Sequence, residues 1–131
     1  MTDKILLCIE DAPTRDIVET ALRQYGDVAV HPVPPDRLAR LVSGDEFAAV
    51  FLDLARKHEK AGALVAALRE ENPRIPVMCL VDRAQRERYN RLKLQHGIFS
   101  FVPTPIDAFD LARRIERLRT ELETRRARAL R

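Results

Sequence analysis

Short, continuous apolar runs alternate along this chain with longer stretches in which apolar residues recur at helical spacing. Lys4-Ile5-Leu6-Leu7-Cys8-Ile9 is the first run, and Glu10-Asp11 closes it. A short run with no polar alternation needs burial on both faces, as in a parallel sheet covered on both sides. Ala12-Pro13-Thr14-Arg15 then opens a helix, with proline tolerated in the first turn. Ile17, Val18, Ala21, Leu22 and Tyr25 give that helix one apolar face, and Gly26 ends it. Val28-Ala29-Val30 predicts a second strand, which Pro32, Pro34 and Pro35 are expected to stop. Asp36 to Ser43 predicts a short helix with Leu38, Leu41 and Val42 inward. Ala48-Ala49-Val50-Phe51-Leu52-Asp53-Leu54 is the most apolar run, and its one charge is Asp53.

A charged loop follows, Arg56-Lys57-His58-Glu59-Lys60. The next helix spans about Ala61 to Glu71, with Leu64, Ala67 and Leu68 inward. Val77-Met78-Cys79-Leu80-Val81 is the fourth strand, ended by Asp82. Arg83 to His96 reads as an arginine-rich helix closed by Gly97. Phe99-Ser100-Phe101-Val102 is the fifth strand, which Pro103-Thr104-Pro105 is expected to stop. A last helix begins near Ile106 or Asp107 and shows no stop before Arg131.

Five apolar strands alternating with five helices predict an α/β domain. It is a flavodoxin-like, doubly wound (βα)5 fold with a parallel five-stranded sheet of order 2-1-3-4-5. That order sets the carboxyl ends of strands one and three side by side, where sites form in open α/β sheets. Glu10, Asp11 and Asp53 then converge. Three carboxylates at one edge raise one another's pKa unless a cation sits among them, and an all-oxygen donor set suits Mg²⁺.

Composition narrows the function classes. The 131 residues make one domain, and 33% charged with 46% apolar is an ordinary soluble profile. A net charge of +3 is too small to imply nucleic acid. Cys8 and Cys79 each lie inside a predicted strand and read as core residues. No run reaches membrane-spanning length and no signal peptide opens the chain, so the expected location is the cytoplasm. His31, His58 and His96 lack metal-ligand spacing, and the four glycines form no phosphate loop. A haloacid-dehalogenase-type phosphatase would need a second Asp two residues past Asp53, where Ala55 stands. The chain therefore reads as a non-enzyme, with a small phosphatase-like enzyme as the alternative from another class.

From Lys4 to Leu118 the sequence resembles a response-regulator receiver domain of two-component signalling. The resemblance rests on Ile9-Glu10-Asp11-Ala12-Pro13, Phe51-Leu52-Asp53, Pro76-Val77-Met78-Cys79-Leu80 and Gly97-Ile98-Phe99-Ser100-Phe101-Val102-Pro103-Thr104-Pro105, in that order. It implies that Asp53 accepts a phosphoryl group from a histidine kinase. It also implies that Glu10 and Asp11 help Asp53 to hold Mg²⁺, and that Phe101 is the switch aromatic. Two switch positions depart from the family. Val81 stands where a Ser or Thr hydroxyl is usual, and Thr104 where a Lys is usual. The resemblance is thus to an atypical receiver with weak or absent phosphorylation-dependent switching, acting through protein contacts. A competent phosphoacceptor controlling a transcriptional or other output domain is the alternative. Arg56 or Lys57 could fold over Asp53 in place of the missing lysine; the competing reading has both pointing to solvent.

Two surfaces bear on partners. The helix from Arg83 to His96 carries Arg83, Arg86, Arg88, Arg91 and Lys93 against Glu87, which reads first as a solvated charged face and otherwise as a surface for an acidic protein partner. Tyr89 is its one aromatic available for base stacking. In the last helix Ile115, Leu118, Leu122 and Ala129 fall at coiled-coil spacing, with Arg125 between. The expected organisation is a receiver-like domain over 1–118 and a helical extension over 119–131. That extension would dimerise the protein or link it to an output domain, and nucleic acid would be met only through such a domain. A homodimer through the helix-four and helix-five face is the other expectation, with no membrane contact.

Overall fold

The computed structural model describes residues 2–55 and 60–130. Its elements run β1 Asp3–Cys8, α1 Ala12–Arg23, β2 Val28–Pro32, α2 Pro35–Val42, β3 Ala49–Asp53, α3 Ala61–Glu71, β4 Val77–Asp82, α4 Arg86–His96, β5 Ser100–Thr104 and α5 Ala108–Ala129. A single 3-10 turn, Arg83–Gln85, precedes α4. The strands form one parallel sheet of order β2-β1-β3-β4-β5. The expected doubly wound fold is therefore the observed one.

Strand alternation divides the core between the two faces of the sheet. Leu6, Cys8, Val50, Leu52, Cys79 and Val81 face one side, over α2, α3 and α4. Ile5, Leu7, Phe51, Met78, Leu80 and Val102 face the other, over α1 and α5. Cys8 and Cys79 are buried free thiols, as expected, and burial pushes the Cys79 thiol far up. Among the described residues no helix is long and apolar enough to cross a membrane.

Two strands run further than their prolines suggested. β2 includes Pro32, opposite Leu7. β2 is an edge strand, and Val33 N–H donates to the Leu7 carbonyl at 3.0 Å. Donors to β1 recur every second residue, so the Pro32 nitrogen faces away from the ladder and costs no bond. β5 likewise continues through Pro103 to Thr104. Several inward assignments also shift. Leu41 and Ile17 are exposed, and α3 buries Ala61, Val65 and Leu68 while Ala67 faces out. α1 stops at Arg23, so Tyr25 lies past its end.

The apolar stripe of α5 has a partner within the chain. Ile115, Leu118 and Leu122 are buried against the sheet together with Ile5, Val18 and Leu22. Three of the residues that suggested a coiled-coil seam are thus core residues, while Ala129 is exposed. Beyond Leu118 the helix stays attached. Arg126 Nη2 donates to both carboxylate oxygens of Asp3, at 2.8 and 2.7 Å, and Arg125 donates to the Arg74 carbonyl.

Candidate functional site

Register assembles the acidic edge. Cys8 pairs with Leu52 across β1 and β3, and Asp53 pairs with Leu80 across β3 and β4. Continuing the first pairing by one residue sets Ile9 beside Asp53, with Glu10 and Asp11 just beyond. All three acids stand at the carboxyl edge of the two central strands. Glu10 is exposed, and Asp11 and Asp53 are half-buried.

Each of the two half-buried carboxylates also has a backbone role. Asp11 is the N-cap of α1, its Oδ2 accepting from the Thr14 N–H at 3.2 Å and from the Thr14 hydroxyl. Capping by Asp satisfies an orphan donor of the first turn. Arg15 reaches back to the carbonyl of Ile9 at 3.1 Å and fixes the turn between β1 and α1. Asp53 Oδ1 accepts from the Ala55 N–H at 3.0 Å, a local turn that Asp favours. These bonds engage one named oxygen of each carboxylate. The donor set is oxygen only and fits Mg²⁺ in kind. In this conformation, among the described residues, no three His, Cys, Asp or Glu side chains gather closely enough to enclose a metal ion.

The two atypical switch positions touch each other. Val81 is buried at the end of β4, and the Thr104 hydroxyl donates to its carbonyl at 3.2 Å. Phe101 is buried in the same core layer, its ring centroid 6.3 Å from that of Tyr89. Arg56 and Lys57, the candidate substitute cations, lie outside the described residues.

Tyr89 is the residue that sequence reasoning misplaced. It is 1% exposed, the one buried residue of α4, and cannot serve as a stacking platform. Its hydroxyl donates to the Leu54 carbonyl at 3.1 Å, directly beyond Asp53. Burial pushes the phenol pKa up; the Arg88 charge opposes this and the Asp82 and Asp53 carboxylates add to it. The signal available in the sequence was a lone aromatic in a helix otherwise made of charged and amide residues, Leu92 and Leu94. The basic residues of α4 do face solvent, as does Leu94 at 87%.

A cleft of about 1080 Å³ lies at the opposite, amino edge of the sheet, among Lys4, Arg69, Arg74, His96, Arg125 and Arg128. Its rim is mixed in sign, because Asp3, Asp45, Glu46 and Glu121 also line it. It is remote from the three acids.

No protein-family model matches the chain, and no curated protein matches it. Solved structures do. NtrX from Brucella abortus, solved in complex with ADP, matches 100% of this chain with a TM-score of 0.78 at 21% identity. The chain spans only 30% of that protein. The receiver domain of a sensor histidine kinase from Pseudomonas aeruginosa, with a magnesium ion coordinated in its active-site cleft, matches at TM-score 0.70 and 21% identity. There the match covers 90% of this chain and 98% of the other. The receiver domain of AraT, a response regulator from Geobacillus stearothermophilus, matches over 96% and 99% at TM-score 0.77 and 16% identity. The doubly wound sheet is therefore of the receiver type: the chain has the fold of response-regulator receiver domains.

Proposed function

We propose that this chain is a non-enzymatic signalling module of the two-component type, with Asp53 as its input site and protein contacts as its output. The observation that carries this reading is the placement of Glu10, Asp11 and Asp53 at the carboxyl edge of β1 and β3. A phosphohistidine on a kinase would give up its P–N bond as a P–O bond forms to Asp53. Glu10, Asp11 and Asp53 would hold Mg²⁺ weakly, and the bound ion would offset the charge of the carboxylate and phosphoryl oxygens.

The switch is blunted. Val81 offers no hydroxyl to a phosphoryl oxygen, and the Thr104 hydroxyl is engaged by the Val81 carbonyl. Phe101 is already buried beside Tyr89 without any phosphoryl group at Asp53. Output then rests on the solvent-facing basic side of α4, which suits an acidic partner protein in the cytoplasm. A homodimer through the α4 and α5 faces remains compatible with this surface. One through Ile115, Leu118 and Leu122 is not, because the domain's own core uses them. The part of α5 beyond Leu118 would act as a helical extension, docked on the domain through Arg125 and Arg126, that either dimerises the protein or links it to an output domain.

Amide and side-chain NMR during titration with Mg²⁺ and beryllofluoride, a phosphoryl mimic, tests the reading. The expected result is perturbation at Glu10, Asp11 and Asp53 with Phe101 held in one rotamer. A Phe101 flip would overturn the blunted switch. Unperturbed acids would overturn Asp53 as a phosphoryl site and leave a contact scaffold.

A further inference from the structure

Two hydrogen bonds meet on one peptide group beside Asp53. The Ala55 N–H donates to Asp53 Oδ1 at 3.0 Å, and the Leu54 carbonyl accepts from the Tyr89 hydroxyl at 3.1 Å. That N–H and that carbonyl belong to the same peptide bond, which is planar and stiff. All donors point the same way, from Tyr89 through the peptide to the carboxylate. The charge on Asp53 polarises the amide and strengthens its carbonyl as an acceptor, as hydrogen-bond chains do in a low-dielectric interior. Leu54 and Tyr89 are both buried, so water does not substitute at the far end of the chain.

We propose that Asp53, the Leu54–Ala55 peptide and Tyr89 form a relay that couples the state of the Asp53 carboxylate directly to α4. Tyr89 is its positioning residue. This deepens the reading of Asp53 as the input site and rests on it. It supplies α4 with a route that needs neither a hydroxyl at position 81 nor a rotation of Phe101. The helix is well placed to respond. Tyr89 is its one buried side chain, with Leu92 half-buried behind it. At the far end Arg69 grips the carbonyls of His96 and Gly97. A change in the Tyr89 bond therefore acts on the amino-terminal half of α4, where Arg86, Arg88 and Arg91 face solvent, while the carboxyl end stays pinned.

The same geometry states what breaks the relay. Making Asp53 Oδ1 a weaker acceptor, by turning it into the neutral acyl oxygen of an acyl phosphate or an asparagine or by drawing the carboxylate onto a cation, weakens the pull on the Ala55 N–H and loosens the Tyr89 bond. Removing the Tyr89 hydroxyl disconnects α4 from Asp53 while leaving the ring packed on Phe101.

A mutant cycle read by NMR tests this on the full chain, with no phosphoryl donor. Asp53→Asn is introduced beside Tyr89 and beside Tyr89→Phe, and amide shifts and hydrogen exchange are recorded over Arg86–His96. The relay requires that Asp53→Asn shifts the amides of the first half of α4 and speeds their exchange when Tyr89 is present. With Tyr89→Phe that response should be lost, although β1 and β3 still respond locally. A purely structural tyrosine would change overall stability and leave the α4 response to Asp53→Asn intact. That result would overturn the proposal, as would an α4 silent in both backgrounds. The outcome is separable from the beryllofluoride titration. A working relay with no beryllofluoride binding would refute phosphoryl input alone, and bound beryllofluoride with a silent relay would refute the coupling alone.

Discussion

Thr104 supplies the hydrogen bond that Pro103 withholds from Val81. Across β4 and β5 the Val77 carbonyl accepts from the Phe99 N–H at 2.9 Å, and Val81 pairs with Pro103. Acceptors on one edge of a parallel strand recur every second residue, which carries the Val81 carbonyl to the nitrogen of Pro103. Proline has no N–H there. The Thr104 hydroxyl, 3.2 Å away, takes its place. Thr104→Val should cost about 1 kcal/mol in urea unfolding, the worth of one intramolecular hydrogen bond. In a Pro103→Ala background, where a backbone donor returns, the same substitution should cost much less. The cycle cancels the unfolded-state effect of losing a proline. Equal costs in both backgrounds would show that the hydroxyl is not the substitute donor.

Arg69 joins three segments at the amino edge of the sheet. Nε donates to the His96 carbonyl at 2.7 Å, Nη1 to the carbonyls of Ile75 and Asn72 at 2.7 and 3.2 Å, and Nη2 to Gly97 at 3.2 Å. Desolvation lowers its pKa from the usual arginine value, yet a guanidinium stays charged. A lysine ammonium is one compact nitrogen and cannot meet four carbonyls spread around a planar fork. Arg69→Lys should therefore cost about 2–3 kcal/mol, given that bonds from charged donors are worth about 1.5–3 kcal/mol each and water recovers part of the loss. A loss under about 0.5 kcal/mol in urea unfolding would mean that solvent satisfies those carbonyls unaided.

The fold was legible because strands buried on both faces leave continuous apolar runs, and five such runs separated by helical spacing admit few arrangements. The placement of Glu10, Asp11 and Asp53 at one edge of the sheet followed from strand order alone. What the sequence hid depends on direction. Pro32 and Pro103 look equally disruptive in one dimension, but the nitrogen of one faces away from the ladder and that of the other faces into it. Tyr89 was hidden because α4 has no apolar stripe to mark its inner side. Ile115, Leu118 and Leu122 were ambiguous because a coiled-coil seam and a core-facing stripe share one spacing.

That last ambiguity yields a test. Leu122 is 8% exposed and packs with the sheet-facing residues of α1 and α5. Leu122→Ala should cost about 2–3 kcal/mol, the lower part of the range for buried leucines because the site lies near the rim of the core. Its mass by light scattering should equal that of the parent protein at every concentration. Concentration-dependent loss of a dimer with unchanged monomer stability would assign Leu122 to an intermolecular seam.

Asp110 should give stability an acid limb. Its carboxylate accepts from Arg114 Nε at 2.8 Å and from Arg113 at 3.4 Å, and Arg114 also donates to the buried Ser100 hydroxyl at 2.6 Å. The Arg114 hydrogen bond, followed by the charges of Arg114 and Arg113 against a desolvation that opposes them, holds the Asp110 pKa below the usual aspartate value. A group whose folded pKa is depressed binds fewer protons folded than unfolded, so unfolding takes up a proton. Its contribution is complete above the unfolded value of about 3.9 and is lost as pH falls through the lower folded value. Urea midpoints measured downward from pH 7 should fall in that window, and Asp110→Asn should flatten the slope there. At neutral pH the same variant should lose about 1 kcal/mol, because the amide keeps one weaker acceptor toward Arg114 and the contact with the exposed Arg113 is solvent-screened. An acid limb unchanged in Asp110→Asn would place the responsible carboxylate elsewhere.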